Sequence, residues 1–170
     1  MHPKRLGYLA VFRISAYKRG VDTTHSELAH LIERLHRRYL DLIRAELNRQ
    51  GVRDINAVQA LLLTNIGEDE IVTRDLIERG YYQGSNVSYN MKKLVEAGYI
   101  EQTRSDRDKR AVIIKLTDKA QAICEKLAEL DAKNSEKFAQ RAGGDEDISA
   151  VRDTLQELER IWSDYINYGR

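Results

Sequence analysis

From Ser85 to Ile100 the chain sets hydrogen-bonding and cationic side chains against an apolar stripe. Val87, Met91, Leu94 and Val95 recur at helical spacing, which gathers them within about 100° of arc. Tyr89 and Lys93 fall roughly opposite, with Ser85, Asn86 and Lys92 beside them. Ser88 and Asn90 flank the stripe, and no carboxylate interrupts the polar face before Glu96. Neutral donors and acceptors mixed with lysines suit the base edges and phosphates of a DNA groove. Many solvated surface helices look the same, so the flanking segments decide what this one is for.

Those segments must position the helix. Upstream, Thr73 can cap a short helix carrying Leu76 and Ile77, and Gly80 and Gly84 allow a chain reversal before the polar-faced helix. Helix, short glycine turn, second helix is the helix-turn-helix pattern. Downstream, Gly98 stops the second helix. Tyr99 to Arg104 reads as one strand, and the alternation of Val112, Ile114 and Leu116 with Ile113 and Lys115 reads as another. Between them Ser105 to Arg110 forms a charged hairpin tip. From Arg104 to Lys115 five basic residues (Arg104, Arg107, Lys109, Arg110, Lys115) stand against two acids, while the whole chain is only +1. A local basic patch of this kind attracts a polyanion even on a nearly neutral protein.

With helix, turn, helix and basic hairpin in place, the chain resembles the MarR family of winged-helix transcription regulators from about Ser26 to Ala128. The hairpin carries the likeness: Asp108-Lys109-Arg110, then Ala111 to Lys115, then Leu116-Thr117 opening a helix. The family pattern there is Asp-Arg-Arg, apolar strand residues, then Leu-Thr. Leu94 to Ile100 is similar to the family's exit from its recognition helix. Two departures stand out. Lys109 replaces the middle Arg, losing the planar fork that favours a bidentate contact. Ala120 stands where a Gly often follows Leu-Thr. The resemblance implies a dimeric DNA-binding repressor or activator, responsive to a small ligand or to oxidation.

The remaining sequence reads as helical arms. A chain of 170 residues, 42% hydrophobic and 32% charged, fits one domain with an appended interface. Thr24-His25-Ser26-Glu27 reads as a capping box for a helix carrying Leu28, Ile32, Leu35, Tyr39 and Leu42 and ending at Gly51. Asp54 or Asn56 can cap the next, with Val58, Leu61, Leu62 and Leu63 buried and Gly67 closing it. Thr117 can cap a long helix bearing Ile123, Leu127, Leu130 and Phe138, broken at Gly143-Gly144. Asp145, Glu146 and Asp147 then favour a new helix N-terminus. Ile148, Val151, Leu155, Leu158, Trp162 and Tyr165 follow a three-four seam that needs a partner. A second copy is the expected partner, joined by an N-terminal arm with Phe12, Ile14 and Tyr17. Two recognition helices about 34 Å apart would then read a pseudo-palindrome.

The expected fold is therefore mainly α with a small β-hairpin wing: a winged helix-turn-helix with long N- and C-terminal dimerisation helices. Residues 1–50 are the arm and first helix, 51–116 the DNA-binding segment, and 117–170 the C-terminal dimerisation helices of one structural domain. No catalytic constellation, phosphate-cradling glycine loop or nucleophile elbow is present, so no enzyme and no cofactor are expected. His25, His30 and His36 are splayed around one helix, and no metal is expected. Cys124 lacks a cationic setting beyond Lys126 and reads as a structural thiol. His36, Arg37, Tyr39 and Ile43 are candidates for lining an effector pocket. No apolar run is long enough to cross a membrane, and Arg13 interrupts the short run from Tyr8, so the expected compartment is the cytoplasm.

The expected function is a homodimeric, sequence-specific transcriptional regulator acting on double-stranded DNA, with a small-molecule effector. Ser85, Asn86, Tyr89 and Lys93 would face the major groove, Ser88 and Lys92 the backbone. Arg104, Arg107, Lys109 and Arg110 would contact DNA from the wing, which sits at the adjacent minor groove. The alternative is a winged-helix protein-interaction module without sequence-specific DNA binding.

Overall fold

The computed structural model describes residues 23–67, 71–80, 84–104, 111–141 and 145–169. The expectations for Phe12, Ile14, Tyr17, the glycine pair at 143 and 144, and the hairpin tip lie outside them. The chain divides into two compact units, the first ending at Leu116 and the second beginning at Thr117.

The first unit opens with α1 (Thr23–Arg49). Thr24 therefore lies inside the helix rather than capping it. Ile43 and Leu47 are buried, whereas Leu31, Leu35 and Tyr39 are exposed at 38%, 56% and 39%. The helix ends as the glycine placement predicts. Gly51 adopts φ 73, its amide donates to the Asn48 carbonyl at 3.1 Å, and the Val52 amide donates to the Leu47 carbonyl at 2.9 Å. That pair of bonds is a Schellman end.

Next, α2 (Ala57–Ile66) packs against α1. Of the two proposed caps, Asn56 fills the role. Its side chain accepts from the Gln59 amide at 3.0 Å, and the Gln59 side chain accepts from the Asn56 amide at 2.9 Å. Such a reciprocal box satisfies two otherwise orphaned donors. Leu62 and Leu63 are buried and Leu61 half-buried, but Val58 is 41% exposed, so its expected burial is corrected. One turn of helix separates Val58 from Leu62, yet the buried face is centred on Ala60 and Leu63, both at 0% exposure.

A two-residue strand, β1 (Ile71–Val72), precedes α3 (Thr73–Gly80). The sequence gives no two-residue alternation to find β1 by. Thr73 begins α3, and its hydroxyl donates to the Val112 carbonyl at 3.3 Å, tying the helix start to the sheet. Residues 81–83 separate α3 from α4 (Gly84–Glu96). The β2 (Ile100–Arg104) and β3 (Val112–Leu116) strands pair antiparallel, from Ile100 opposite Leu116 to Arg104 opposite Val112. On the other edge of β3, Ile71 pairs with Ile114 and Val72 with Ile113, giving the order β1-β3-β2. Ile114, on the central strand, is fully buried with Leu63, Leu76 and Leu94.

The second unit holds α5 (Asp118–Ala139) and α6 (Asp145–Tyr168). Thr117 caps α5 through its side chain, which accepts from the Ala120 amide. Ala120, Ile123 and Leu127 are buried; Phe138 is 54% exposed. Along α6, Leu158 is buried while Val151, Leu155, Trp162 and Tyr165 are exposed.

Candidate nucleic-acid interface

The geometry of α4 follows from its apolar stripe. Val87, Met91 and Leu94 are 1%, 2% and 0% exposed, and the helix packs on β2. With that face fixed, Asn86, Ser88, Tyr89, Lys92 and Lys93 are all turned to solvent, Tyr89 at 63%. Ser85 lies in the first turn of the same helix. Asn90 is half-buried, and its amide donates to the Asn86 carbonyl one turn back at 2.9 Å. The C-terminal end is closed by a second Schellman pair: Gly98 (φ 73) donates to the Val95 carbonyl at 3.0 Å and Tyr99 to the Leu94 carbonyl at 2.9 Å.

Val95 corrects the sequence reading. Expected in the buried stripe, it is 39% exposed. It sits at the edge of the arc, where the helix faces an open cavity instead of the core. This cavity, of about 460 Å³, is lined by Thr73, Ser88, Met91, Lys92, Val95, Glu96, Gln102 and Val112. Thr73 and Gln102 thus share a surface with Ser88 and Lys92. Sequence reasoning missed both as site neighbours, because only the strand pairing brings them there.

The charges on α4 are not independent. Lys93 Nζ lies 2.8 Å from Glu96 Oε2, and Lys92 Nζ lies 4.0 Å from Glu96 Oε1. The hydrogen bond to Glu96, with its charge, holds the Lys93 ammonium above its ordinary range. The same bond from Lys93 holds the Glu96 carboxyl below the usual carboxylate range. From the hairpin, Arg104 is exposed at the end of β2. Arg107, Lys109 and Arg110 lie outside the described residues.

The residues proposed for an effector pocket do not form one cluster of like exposure. Ile43 is buried in the core, while His36, Arg37 and Tyr39 are exposed, Arg37 beside Glu33 at 2.5 Å. Among the described residues no group of three His, Cys, Asp or Glu side chains is placed to hold a metal ion. Cys124 is half-buried, and that burial pushes its thiol above the ordinary range.

Comparison with known proteins bears on this arrangement. Residues 55–120 match the family model described as a winged helix DNA-binding domain. The exopolysaccharide II synthesis transcriptional activator ExpG of Rhizobium meliloti is 40% identical over 149 residues, covering 86% of this chain and 75% of that protein. Among solved structures, a mutant MarR from E. coli complexed with operator DNA is similar with a TM-score of 0.65 at 22% identity, over 78% of this chain and 93% of that one. FabT of Streptococcus pneumoniae in complex with DNA is similar with a TM-score of 0.69 at 20% identity, over 82% and 98%.

Proposed function

The chain belongs to the MarR family of winged helix-turn-helix transcriptional regulators, and on that premise we propose that it acts as a homodimer reading a pseudo-palindromic operator through α4. It is a transcriptional regulator with a winged-helix DNA-binding fold, and the family is not one of enzymes. The observation that carries the finer reading is the exposed row Asn86, Ser88, Tyr89, Lys92 and Lys93 on a helix whose opposite face is locked into the core.

Asn86, Tyr89 and Lys93, with Ser85, contact base edges in the major groove; Ser88 and Lys92 contact the backbone. Arg104, Arg107, Lys109 and Arg110 meet the flanking minor groove, whose negative potential draws arginine. Residues 51–116 supply this reading segment, and residues 1–50 and 117–170 the dimer contacts. Support for the dimer comes from the apolar side chains exposed along α1 and α6. The activator role of the 40% identical relative favours activation. A small-molecule effector and a cytoplasmic location complete the reading. Among the described residues no helix is long and apolar enough to cross a membrane.

The test is selection of bound sequences from a random duplex pool. Enrichment of an inverted repeat with half-sites one helical turn apart is the expected result. Binding to the selected duplex should fall steeply as salt rises, because neutralised phosphates release counterions. Failure to enrich any sequence would return the chain to the protein-interaction alternative.

A further inference from the structure

The 13 residues of α4 carry three formal charges, Lys92, Lys93 and Glu96, all within its last five positions. Both cations address one carboxylate: Oε2 receives Lys93 at 2.8 Å and Oε1 lies 4.0 Å from Lys92. Everything from Gly84 to Met91 is neutral. We propose that Glu96 is a specificity-determining residue, which holds down sequence-blind binding by engaging Lys92 and Lys93 through its two oxygens. The inference rests on the DNA-binding reading above.

The physical argument compares two modes of docking. Sequence-blind binding is almost wholly electrostatic and draws every ammonium to a phosphate. On α4 that exchange breaks the Lys93–Glu96 bond and leaves a bare carboxylate beside the polyanion. A base-reading complex releases only Lys92, the looser partner at 4.0 Å, to the backbone and leaves the 2.8 Å Lys93–Glu96 bond in place. Lys93 stays on the exposed row with Tyr89, held where Glu96 already places it, and base edges supply the added contacts. An exposed ion pair is weak enough to be exchanged but strong enough to bias the choice. Its cost therefore falls on the wrong mode, which is how a repulsive element produces discrimination. An exposed carboxylate is ionised at neutral pH, and the bond from Lys93 only lowers the Glu96 carboxyl further, so the device is present under ordinary conditions.

The experiment uses the full chain and two fluorescent duplexes, one of random sequence and one recovered by selection. Glu96→Gln keeps helix propensity and shape. It should tighten random-duplex binding by about threefold to tenfold, summed over two protomers. The random-duplex salt slope should steepen by about one to two units. Affinity for the selected duplex should change less than about twofold. Glu96→Asp, which retains the charge, should stay near the parent on both. In a Lys92→Gln, Lys93→Gln background the gain from Glu96→Gln should vanish. Unchanged or weaker random-duplex binding, an equal gain on both duplexes, or a gain that survives loss of the lysines would overturn the inference. If the unsubstituted protein binds neither duplex, the DNA reading itself fails.

Discussion

The hydroxyl of Tyr99 donates a hydrogen bond of 2.8 Å to Oδ1 of Asp54, joining residues 45 positions apart. Tyr99 is also the residue whose amide closes α4 on the Leu94 carbonyl, and its ring is 1% exposed. Asp54 lies in the short connection between α1 and the Asn56 cap of α2. One residue therefore ends the candidate recognition helix with its amide, and with its side chain fills the core and fastens that end to the α1–α2 connection.

Removing the hydroxyl alone should show what the tie contributes. Tyr99→Phe keeps the buried ring and loses the bond, which should cost about 1 kcal/mol. Tyr99→Ala adds a cavity and should cost about 3 kcal/mol or more. Urea denaturation reads both as a lowered midpoint at constant slope. A Phe variant as stable as the parent would show that water replaces the bond at no cost.

Gly98 separates backbone strain from steric clash. Its φ is 73, and a Cβ added there meets nothing within 4 Å. Gly98→Ala should therefore destabilise by about 1 kcal/mol through the left-handed conformation alone. The same measurement on Val95→Ala, at an exposed site, should give a smaller loss. If Gly98→Ala cost nothing, the helix would have to end in another way, and far-UV circular dichroism would show the change.

What was legible in the sequence was periodic or local. Val87, Met91 and Leu94 announce the buried face of α4 through spacing, and the Asn56, Thr117, Gly51 and Gly98 ends follow from local hydrogen-bonding chemistry. The strand β3 was visible in alternation, and β2 in its place between the Gly98 stop and the charged hairpin. What escaped was set by distant partners. β1 exists because Ile71 and Val72 find Ile114 and Ile113 on β3, some 40 residues on. Asp54 accepts from Tyr99 instead of capping, and Val95 lines a cavity with Thr73, Gln102 and Val112, which other elements bring beside it. The sequence reading sends Lys92 and Lys93 to DNA; Glu96, only four and three residues away, also couples them.

Cys124 should be a slow thiol. Burial is the main reason its pKa lies above the ordinary value; the neighbouring Glu125 adds to this, and a backbone hydrogen bond opposes it. The thiolate is the reactive form, so a raised pKa lowers its fraction at any neutral pH. Iodoacetamide at pH 7.5 should modify the native chain several-fold more slowly than the urea-unfolded chain, as followed by mass spectrometry. The native rate should climb through a pH range above that of a free thiol, about 8.5. Equal rates in the two states would contradict the burial and the structural role of the thiol.

The apolar side chains left in solvent make the sharpest test of the dimer. Val151, Leu155, Trp162 and Tyr165 on α6 are 59%, 38%, 39% and 69% exposed, and Leu31, Leu35 and Tyr39 on α1 are comparable. Fully burying one such side chain is worth about 1.5–3 kcal/mol, and a symmetric contact counts each twice. A carboxylate at the centre of that contact would have to lose its water without a partner. Leu155→Asp combined with Trp162→Asp should therefore shift sedimentation from the mass of two chains to that of one. The helical signal of the reading segment should persist, because Leu76, Leu94 and Ile114 are buried within the first unit. Affinity for an inverted-repeat duplex should fall at least tenfold, and its salt slope should approach half the parent value, since each protomer brings its own phosphate contacts. A variant that still sediments as two chains would place the dimer contact elsewhere on the molecule. A monomer that kept full affinity would remove the need for a paired operator.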